Sequence, residues 1–303
     1  MTSDAAKQNE QVEAQDRTLD PGPRNRLFAF RILVVLFAVF HLFMTPLPFL
    51  VLAFFIDANP NGISHQVHEL CFGALFAMTF VGLLSQLRNP ERKIAGMFQV
   101  MLPIFITVPL TLIVNQFIDP TIPVFLVLPL VLLWLHPART PDWRPSVVLV
   151  VLAGVAAVPL IVFAVDQLAT GIRAASTGGD ILREIDPDAT EREVVRELEA
   201  AGIPRAERIE VLHFGHWVGM GGFALSVVGI SILGALRPRG WRLLIWSAAA
   251  ALSVYALASL KYPSDASALS GLWAGLALAW AVLFVMMAER GEMDVARADV
   301  APT

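Results

Sequence analysis

Charged residues are scarce in this chain. Asp, Glu, Lys and Arg make up only 16% of its 303 residues, whereas a soluble domain carries about a quarter. The single cysteine, Cys71, excludes a disulfide within one chain and with it the usual framework of small extracellular domains. The net charge of -4 comes with no basic motif, so nothing indicates nucleic acid binding.

Common catalytic signatures are also missing. The sequence contains no Walker loop, HExxH, CxxCH or G-x-S-x-G, which removes the familiar phosphate, protease, c-type haem and hydrolase motifs. The first 23 residues are polar, with no apolar core or cleavage site. We therefore expect no cleaved signal peptide and predict a disordered cytoplasmic tail over residues 1–26.

Long apolar runs dominate the rest of the sequence. The chain is 56% hydrophobic, and runs of about 20 apolar residues are long enough to cross a bilayer. The fourth run is short and contains Pro123 and Pro129, so seven spans is the alternative to eight. The eight predicted spans are 27–56, 65–87, 94–117, 121–136, 145–168, 213–236, 241–260 and 269–288.

Lys and Arg are concentrated in alternate connections, which predicts the orientation because these residues stay on the cytoplasmic side. We predict a multi-pass protein of the cell membrane, with both termini cytoplasmic and the lipid bilayer as its main partner. The residues assigned to the cytoplasmic side are Arg24, Arg26, Arg31, Arg88, Arg92, Lys93, Arg139, Arg144, Arg237, Arg239, Arg242 and Arg290.

An internal repeat divides the predicted spans into two halves. His65-Gln-Val-His68 aligns with His213-Phe-Gly-His216 at an offset of 148 residues, and Gly73 then falls on Gly221. After a slip of one residue, Leu87-Arg88-Asn89-Pro90 lies beside Leu236-Arg237-Pro238. Four spans are an even number, so both halves have one orientation and a pseudo-twofold axis along the membrane normal.

The predicted fold class is therefore all-α, a polytopic transmembrane helix bundle of two pseudo-repeated four-helix halves. The first half covers 27–144, the second covers 145–288, and 289–303 form a cytoplasmic tail. The second half includes a long extracytoplasmic loop, 169–212. Its run EREVVRELEAAGI, ended by Gly202 and Pro204, predicts a short amphipathic helix, favoured as a cover for the bundle end over a substrate lid.

The two HxxH pairs are the strongest indication of function. Residues three apart share a helix face, and packing about the pseudo-twofold axis would bring His65, His68, His213 and His216 together at the outer end. Glu69 adds a carboxylate beside them. Such a cluster can bind Cu, Zn or Fe through imidazole nitrogen. The alternative is that histidines near span ends only cap helices or contact lipid headgroups.

Haem b is the competing ligand. Two histidines on one helix cannot occupy opposite axial positions, so haem would take one histidine from each half. His41 falls near the middle of the bilayer and is a candidate for cofactor binding or proton relay; its alternative is a neutral histidine bonded to a neighbouring helix. Cys71 is a candidate soft ligand, with a small buried hydrophobe as the commoner role.

Glycines in the sixth span would let a macrocycle or a helix approach the backbone closely. Ordinary helix packing is the favoured interpretation, as it is for Gly271-x-x-x-Gly275. Trp143, Trp217 and Trp241 are interpreted as membrane-belt residues. The glycines in question are Gly215, Gly219, Gly221 and Gly222.

A four-plus-four bundle with histidines at the outer ends of spans two and six resembles the haem A synthase group and other small b-type haem proteins of membranes. That group places histidines in all four even-numbered spans with a Glu-x-x-His signature. Here the order is His-x-x-His-Glu, and spans four and eight lack outer histidines. The resemblance is one of architecture, and no family is assigned from it.

Three functions remain open from the sequence. The leading hypothesis is a metal or haem site for electron transfer or oxidation. A proton-coupled small-solute transporter is the second, favoured by His41 and the proline-broken first span, with Asp166 handling protons. A scaffold binding partner subunits or a second copy is the third. Other polar residues at the outer end are Asp57, Asn115, Gln116, Asp119, Gln167, Lys261, Tyr262 and Asp265.

Overall fold

The computed structural model describes residues 23–44, 66–115, 122–138, 140–185, 191–212 and 214–298. Those residues form α-helices with a single turn of 3-10 helix, Pro90–Arg92, and contain no strand. The α-helices are α1 (Pro23–Met44), α2 (Gln66–Ser85), α3 (Ile94–Asn115), α4 (Ile122–Leu135), α5 (Val147–Glu184), α6 (Glu191–Ala200), α7 (Arg205–Leu212), α8 (Phe214–Ala235), α9 (Arg242–Lys261) and α10 (Gly271–Ala298).

Seven of these helices are long and apolar enough to cross a membrane: α1, α2, α3, α5, α8, α9 and α10. The chain is therefore a multi-pass membrane protein, and its described residues are helical apart from turns and connecting loops. Helix α4 has 14 residues and extends about 21 Å at 1.5 Å per residue, less than the roughly 30 Å of a hydrocarbon core. The fourth predicted span is thus the one that falls short in length.

Several helices continue beyond the predicted spans. Helix α5 runs 38 residues to Glu184, although its span is predicted to end at 168. Helix α10 extends to Ala298, ten residues past its predicted span and into the predicted tail. A helix satisfies its own backbone groups, so nothing compels it to end where the apolar run ends.

The predicted outer loop is largely helical. Besides the end of α5 it contains α6, within the run predicted to form a short amphipathic helix, and α7, which was not predicted. Leu198, Ile203 and Val211 form a small buried cluster against Ile181 of α5. These apolar contacts anchor the two short helices to the long one.

The centre of the bundle consists of α2, α3, α8 and α9. Helix α2 packs against α3, α8 and α9, and α8 packs against α3, α5 and α9. Helix α8 is the most enclosed of the seven long helices and α10 the least. We call the end at which α2 and α8 begin the histidine end, and the end at which they finish the arginine end.

Glycines permit the closest approaches within this centre. A Cβ built on Gly82 of α2 would lie 2.8 Å from the carbonyl oxygen of Gly96 of α3, so the backbones cross in contact. A Cβ on Gly219 would lie 2.2 Å from the Phe72 ring. In contrast, the described chain places nothing within 4 Å of such an atom on Gly271 or Gly275. The packing interpretation therefore holds for Gly219, whereas no described residue packs closely against the Gly271 pair.

The two predicted halves have similar local features at the arginine end. Asn89 and Arg237 both have φ of 52° and both precede a proline. Lys93 N donates to Pro90 O, and Trp241 N donates to Pro238 O, each at 2.9 Å. Helices α2 and α8 begin 148 residues apart, α3 and α9 also 148, and α4 and α10 149.

Candidate functional site

The histidine end brings one histidine from each predicted half together. His68 lies in the first turn of α2 and His216 in the first turn of α8, and their ring centroids are 5.1 Å apart with planes at 33°. Phe72 packs edge-on against both rings. His65 and His213 lie outside the described residues.

His68 is the centre of a buried hydrogen-bonded network. Ser267 Oγ lies 2.8 Å from His68 Nε2 and 3.2 Å from Gln167 Oε1, to which it donates. Because a hydroxyl has a single proton, Ser267 accepts its other hydrogen bond from His68 Nε2. The opposite ring nitrogen, Nδ1, lies 3.7 Å from Asp265 Oδ1.

The loop between α9 and α10 carries Asp265 and Ser267 into the bundle. Asp265 Oδ2 accepts a hydrogen bond of 3.2 Å from Val67 N, in the first turn of α2, and its Oδ1 accepts one from Ser267 N. A carboxylate at a helix N-terminus is stabilised by the exposed backbone amides. Tyr255 Oη donates to Ser267 O at 2.8 Å, which ties the same loop to α9.

Glu69 and Cys71 differ in their surroundings. Glu69 is half-buried, and its Oε2 is shielded from solvent without a hydrogen-bond donor among the residues described. Cys71 is fully buried within the main apolar cluster. Glu69 therefore offers an oxygen at the histidine end, whereas Cys71 packs as a small hydrophobe.

His41 is buried among aromatic rings on the first half of the chain. Its Nε2 lies 3.0 Å from the carbonyl oxygen of Phe76 in α2. The ring packs against Phe37, Phe76 and Phe125. To bind a cofactor through Nε2, His41 would have to give up the Phe76 carbonyl.

Other residues singled out from the sequence occupy varied positions. Trp217 is buried, lies 5.7 Å from the His68 ring and donates to Glu210 O, so it is part of this site and the belt interpretation is wrong. Asp166 is exposed. Gln167 and Asp265 join the site, as do Ser267 and Tyr255, which sequence reasoning missed because an isolated serine or tyrosine carries no spacing signal.

A second polar network lies at the arginine end. His136, just after α4, has Nε2 3.0 Å from Gln86 Oε1, and Gln86 Nε2 donates to Ser85 Oγ and to Lys93 O. His136 Nδ1 lies 2.8 Å from Ala138 O and 3.1 Å from Ala138 N. Burial lowers the pKa of His136 from its usual 6.5, opposed by the Ala138 carbonyl and by Glu91. The ring therefore links the end of α4 to Gln86, after α2, and through Gln86 to Lys93, before α3.

Within the described ranges, no group of three or more His, Cys, Asp or Glu is arranged to hold a metal ion. No protein-family model matches the chain, and neither curated proteins nor solved structures give a significant match.

Proposed function

We propose that the histidine end binds a transition-metal ion, and that this membrane protein uses the ion for electron transfer or oxidation. His68 and His216 are the central ligands, with His65, His213 and Glu69 as the remaining candidates. The single observation that carries the proposal is the 5.1 Å between the rings of His68 and His216, which come from the two copies of the HxxH pattern.

The spacing of the rings suits a shared metal ion. With metal–nitrogen bonds of about 2.0 Å, two imidazoles placed tetrahedrally on one ion have ring centres about 5.2 Å apart. Two imidazoles on opposite faces of a haem iron have ring centres about 6.3 Å apart. The observed 5.1 Å therefore favours a metal ion over a haem held between these two histidines.

The residues around His68 also suit such a site. In metal-binding histidines, the N–H of the second ring nitrogen commonly donates a hydrogen bond to a carboxylate, which fixes the tautomer. Asp265 Oδ1 lies 3.7 Å from His68 Nδ1, beyond hydrogen-bond distance, so the two groups must move closer together before Asp265 accepts this bond. For a metal ion to bind at His68 Nε2, this nitrogen must lose its proton. Ser267 Oγ, which lies 2.8 Å from Nε2, must also move away so that the ion can take its position. Asp265 and Ser267 are therefore positioning residues in the proposal.

Two imidazoles alone are too few for a stable protein metal site, which takes three or four protein ligands. His65 and His213 precede α2 and α8 directly in the sequence, three residues before His68 and His216. Glu69 contributes the buried Oε2 that lacks a described donor. The proposal therefore depends on ligands from these three residues.

Duplication of a four-helix unit is part of the same proposal. Support comes from three of the four pairs of helix starts, at offsets of 148, 148 and 149 residues, whereas α1 and α5 start 124 residues apart. The equal left-handed φ of 52° at Asn89 and Arg237 is an independent match, since non-glycine residues seldom adopt it. Each half would then supply one HxxH pair, with both termini on the cytoplasmic side.

Elemental analysis and an optical spectrum of the detergent-purified full chain test the site. We expect a stoichiometric metal without a Soret band, lost in the double variant H68A/H216A and retained in His136→Asn, a matched control at the other end of the bundle. Thermal unfolding of each variant verifies that it is folded. The proposed site is wrong if wild type binds no metal after incubation with Cu, Zn and Fe. It is also wrong if the double variant retains the metal.

The outcome also separates the remaining alternatives. A Soret band in wild type that disappears in H68A would show that the site binds haem and not a single metal ion. Zinc at the site would keep the metal centre and remove its redox role, because zinc does not change oxidation state.

Proton-coupled transport is the second candidate function. The observation that favours it is the buried hydrogen-bonded chain from Gln167 through Ser267 to His68. Uptake of a small solute into proteoliposomes that depends on a pH gradient, and that is abolished in His41→Ala, would favour this function over a metal site. Folded His41→Ala with unchanged uptake would remove His41 from it.

A further inference from the structure

Two loops distant in sequence meet at the arginine end. One is 86–93, between α2 and α3, and the other is 236–241, between α8 and α9; we call them the arginine loops. Ala95 N, just after the first, donates to Arg239 O at 3.1 Å. A Cβ on Gly240 would lie 3.0 Å from Lys93 Cα, so the two backbones are in contact.

This contact brings the backbones of Arg92 and Lys93 beside those of Arg239 and Gly240, so the cations of both loops lie at one end of the bundle. Arg88, Arg92 and Arg239 are exposed and Lys93 is half-buried, and Glu91 is the one carboxylate within the two loops. Two other arginines at this end are compensated, since Arg144 pairs with Asp142 at 2.9 Å and Arg242 with Glu289 at 3.0 Å. The fifth cation of the loops, Arg237, is half-buried and donates to Ala288 O. Across the described part of the chain, no ion pair joins a carboxylate to any of the four cations.

The first arginine loop continues into an exposed apolar face. Val81 and Leu84 of α2 are 42% and 43% exposed, and Leu87 in the first arginine loop is 36% exposed. Residues three apart on a helix share one face, so this apolar strip leads along α2 directly to Arg88. Apolar surface below clustered cations matches the two parts of an anionic phospholipid, its acyl chains and its headgroup.

We propose that the arginine loops together bind the headgroup of an anionic phospholipid from the surrounding bilayer, with its acyl chains against Val81 and Leu84. Guanidinium groups form paired hydrogen bonds with phosphate oxygens. Both loops contribute, Arg88 and Arg92 from one and Arg239 from the other. The bound lipid bridges the two arginine loops, and this site is independent of the metal proposed at the histidine end.

Lipid binding to the purified full chain in detergent tests the proposal by native mass spectrometry and thermal unfolding. Phosphatidylglycerol and phosphatidylcholine are compared on wild type and on R88Q/R239Q, which removes one cation from each loop. The matched control is R173Q/R196Q, two exposed arginines of the second half away from this end. We expect wild type to bind phosphatidylglycerol more tightly than phosphatidylcholine, and phosphatidylglycerol to raise its melting temperature. In R88Q/R239Q we expect the affinity for phosphatidylglycerol to fall about fivefold per arginine, about 25-fold in all.

The control is expected to keep wild-type binding. Equal binding of the two lipids by wild type overturns the proposal, as does an equal loss in both double variants, which would indicate general surface charge. If R88Q/R239Q does not fold, lipid binding to wild type in KCl still tests the proposal. Added KCl should weaken the preference for phosphatidylglycerol by screening the charges, and a preference that does not change with salt contradicts the proposal.

Discussion

The crossing of α2 and α3 at Gly82 gives the sharpest prediction about the fold. In Gly82→Ala the new methyl group would lie 2.8 Å from Gly96 O and 3.0 Å from Val100 Cγ2. The first contact is with backbone, which cannot rotate aside, so the two helices must move apart. Overpacking of this kind costs about 1–3 kcal/mol, and the better helix propensity of alanine returns up to about 1 kcal/mol. We expect a net loss of about 1–2 kcal/mol in the free energy of unfolding.

Gly154→Ala is the matched control on α5. Nothing in the described chain lies within 4 Å of a Cβ built on Gly154, so only the propensity gain remains and stability should be unchanged or higher by up to about 1 kcal/mol. Unfolding of both variants by heat and by denaturing detergent measures the difference. A Gly82→Ala protein as stable as wild type, or equal destabilisation by the two substitutions, would refute the close crossing.

Three further predictions concern the polar networks. Asp265→Ala leaves the amides of Val67 and Ser267 without their acceptor, and we expect a loss of about 2–4 kcal/mol in unfolding free energy; wild-type stability would show that the loop is not held by Asp265. Tyr255→Phe removes one hydrogen bond to Ser267 O and should lower the free energy of unfolding by about 1 kcal/mol, measured in the same way. A larger loss in Tyr255→Phe than in Asp265→Ala would contradict the expectation that Asp265 holds the loop more strongly. Burial lowers the pKa of His136 from 6.5, so as the pH falls below 6.5 the unfolded chain binds a proton at this residue before the folded chain does, and the folded state loses stability; above pH 6.5 His136 has no such effect. Unfolding measured from pH 7 to pH 5 should therefore show a weaker loss of stability towards acid in His136→Asn than in wild type. An equal loss in the two proteins would show that His136 does not contribute to the acid dependence.

The sequence predicted the spans well and their ends poorly. Uninterrupted apolar runs mark where a helix can meet lipid, and seven of the eight correspond to long helices. The end of an apolar run does not mark the end of a helix, because backbone hydrogen bonds continue in water. Helix α5 therefore passes position 168 and continues to Glu184, and much of the predicted loop is helix.

The candidate site was predictable only in part. The repeated HxxH spacing identified His68 and His216, whose rings do meet. Asp265 and Gln167 were visible only as polar residues near span ends, and Ser267 carried no signal. Their roles depend on how the loop after α9 folds back over α2, a contact between residues 198 or more positions apart that spacing along one helix cannot encode.

The glycines also show that a pattern along one helix does not predict which residues contact each other. Gly219 and Gly271 have similar small-residue patterns in the sequence, yet one meets the Phe72 ring and the other meets nothing within the described chain. Which face of a helix is covered depends on its neighbours. A pattern on one helix therefore predicts that close packing is permitted, and the structure decides where it occurs.

X-ray absorption at the edge of the bound metal tests whether His68 and His216 share a metal ion. For the full chain in detergent, we expect a first coordination shell containing imidazole nitrogens at about 2.0 Å, with the outer-ring scattering of at least two histidines, and loss of that signal in H68A/H216A. A folded wild-type protein without metal, a shell without imidazole, or the four nitrogens of a porphyrin would contradict a metal ion shared by His68 and His216.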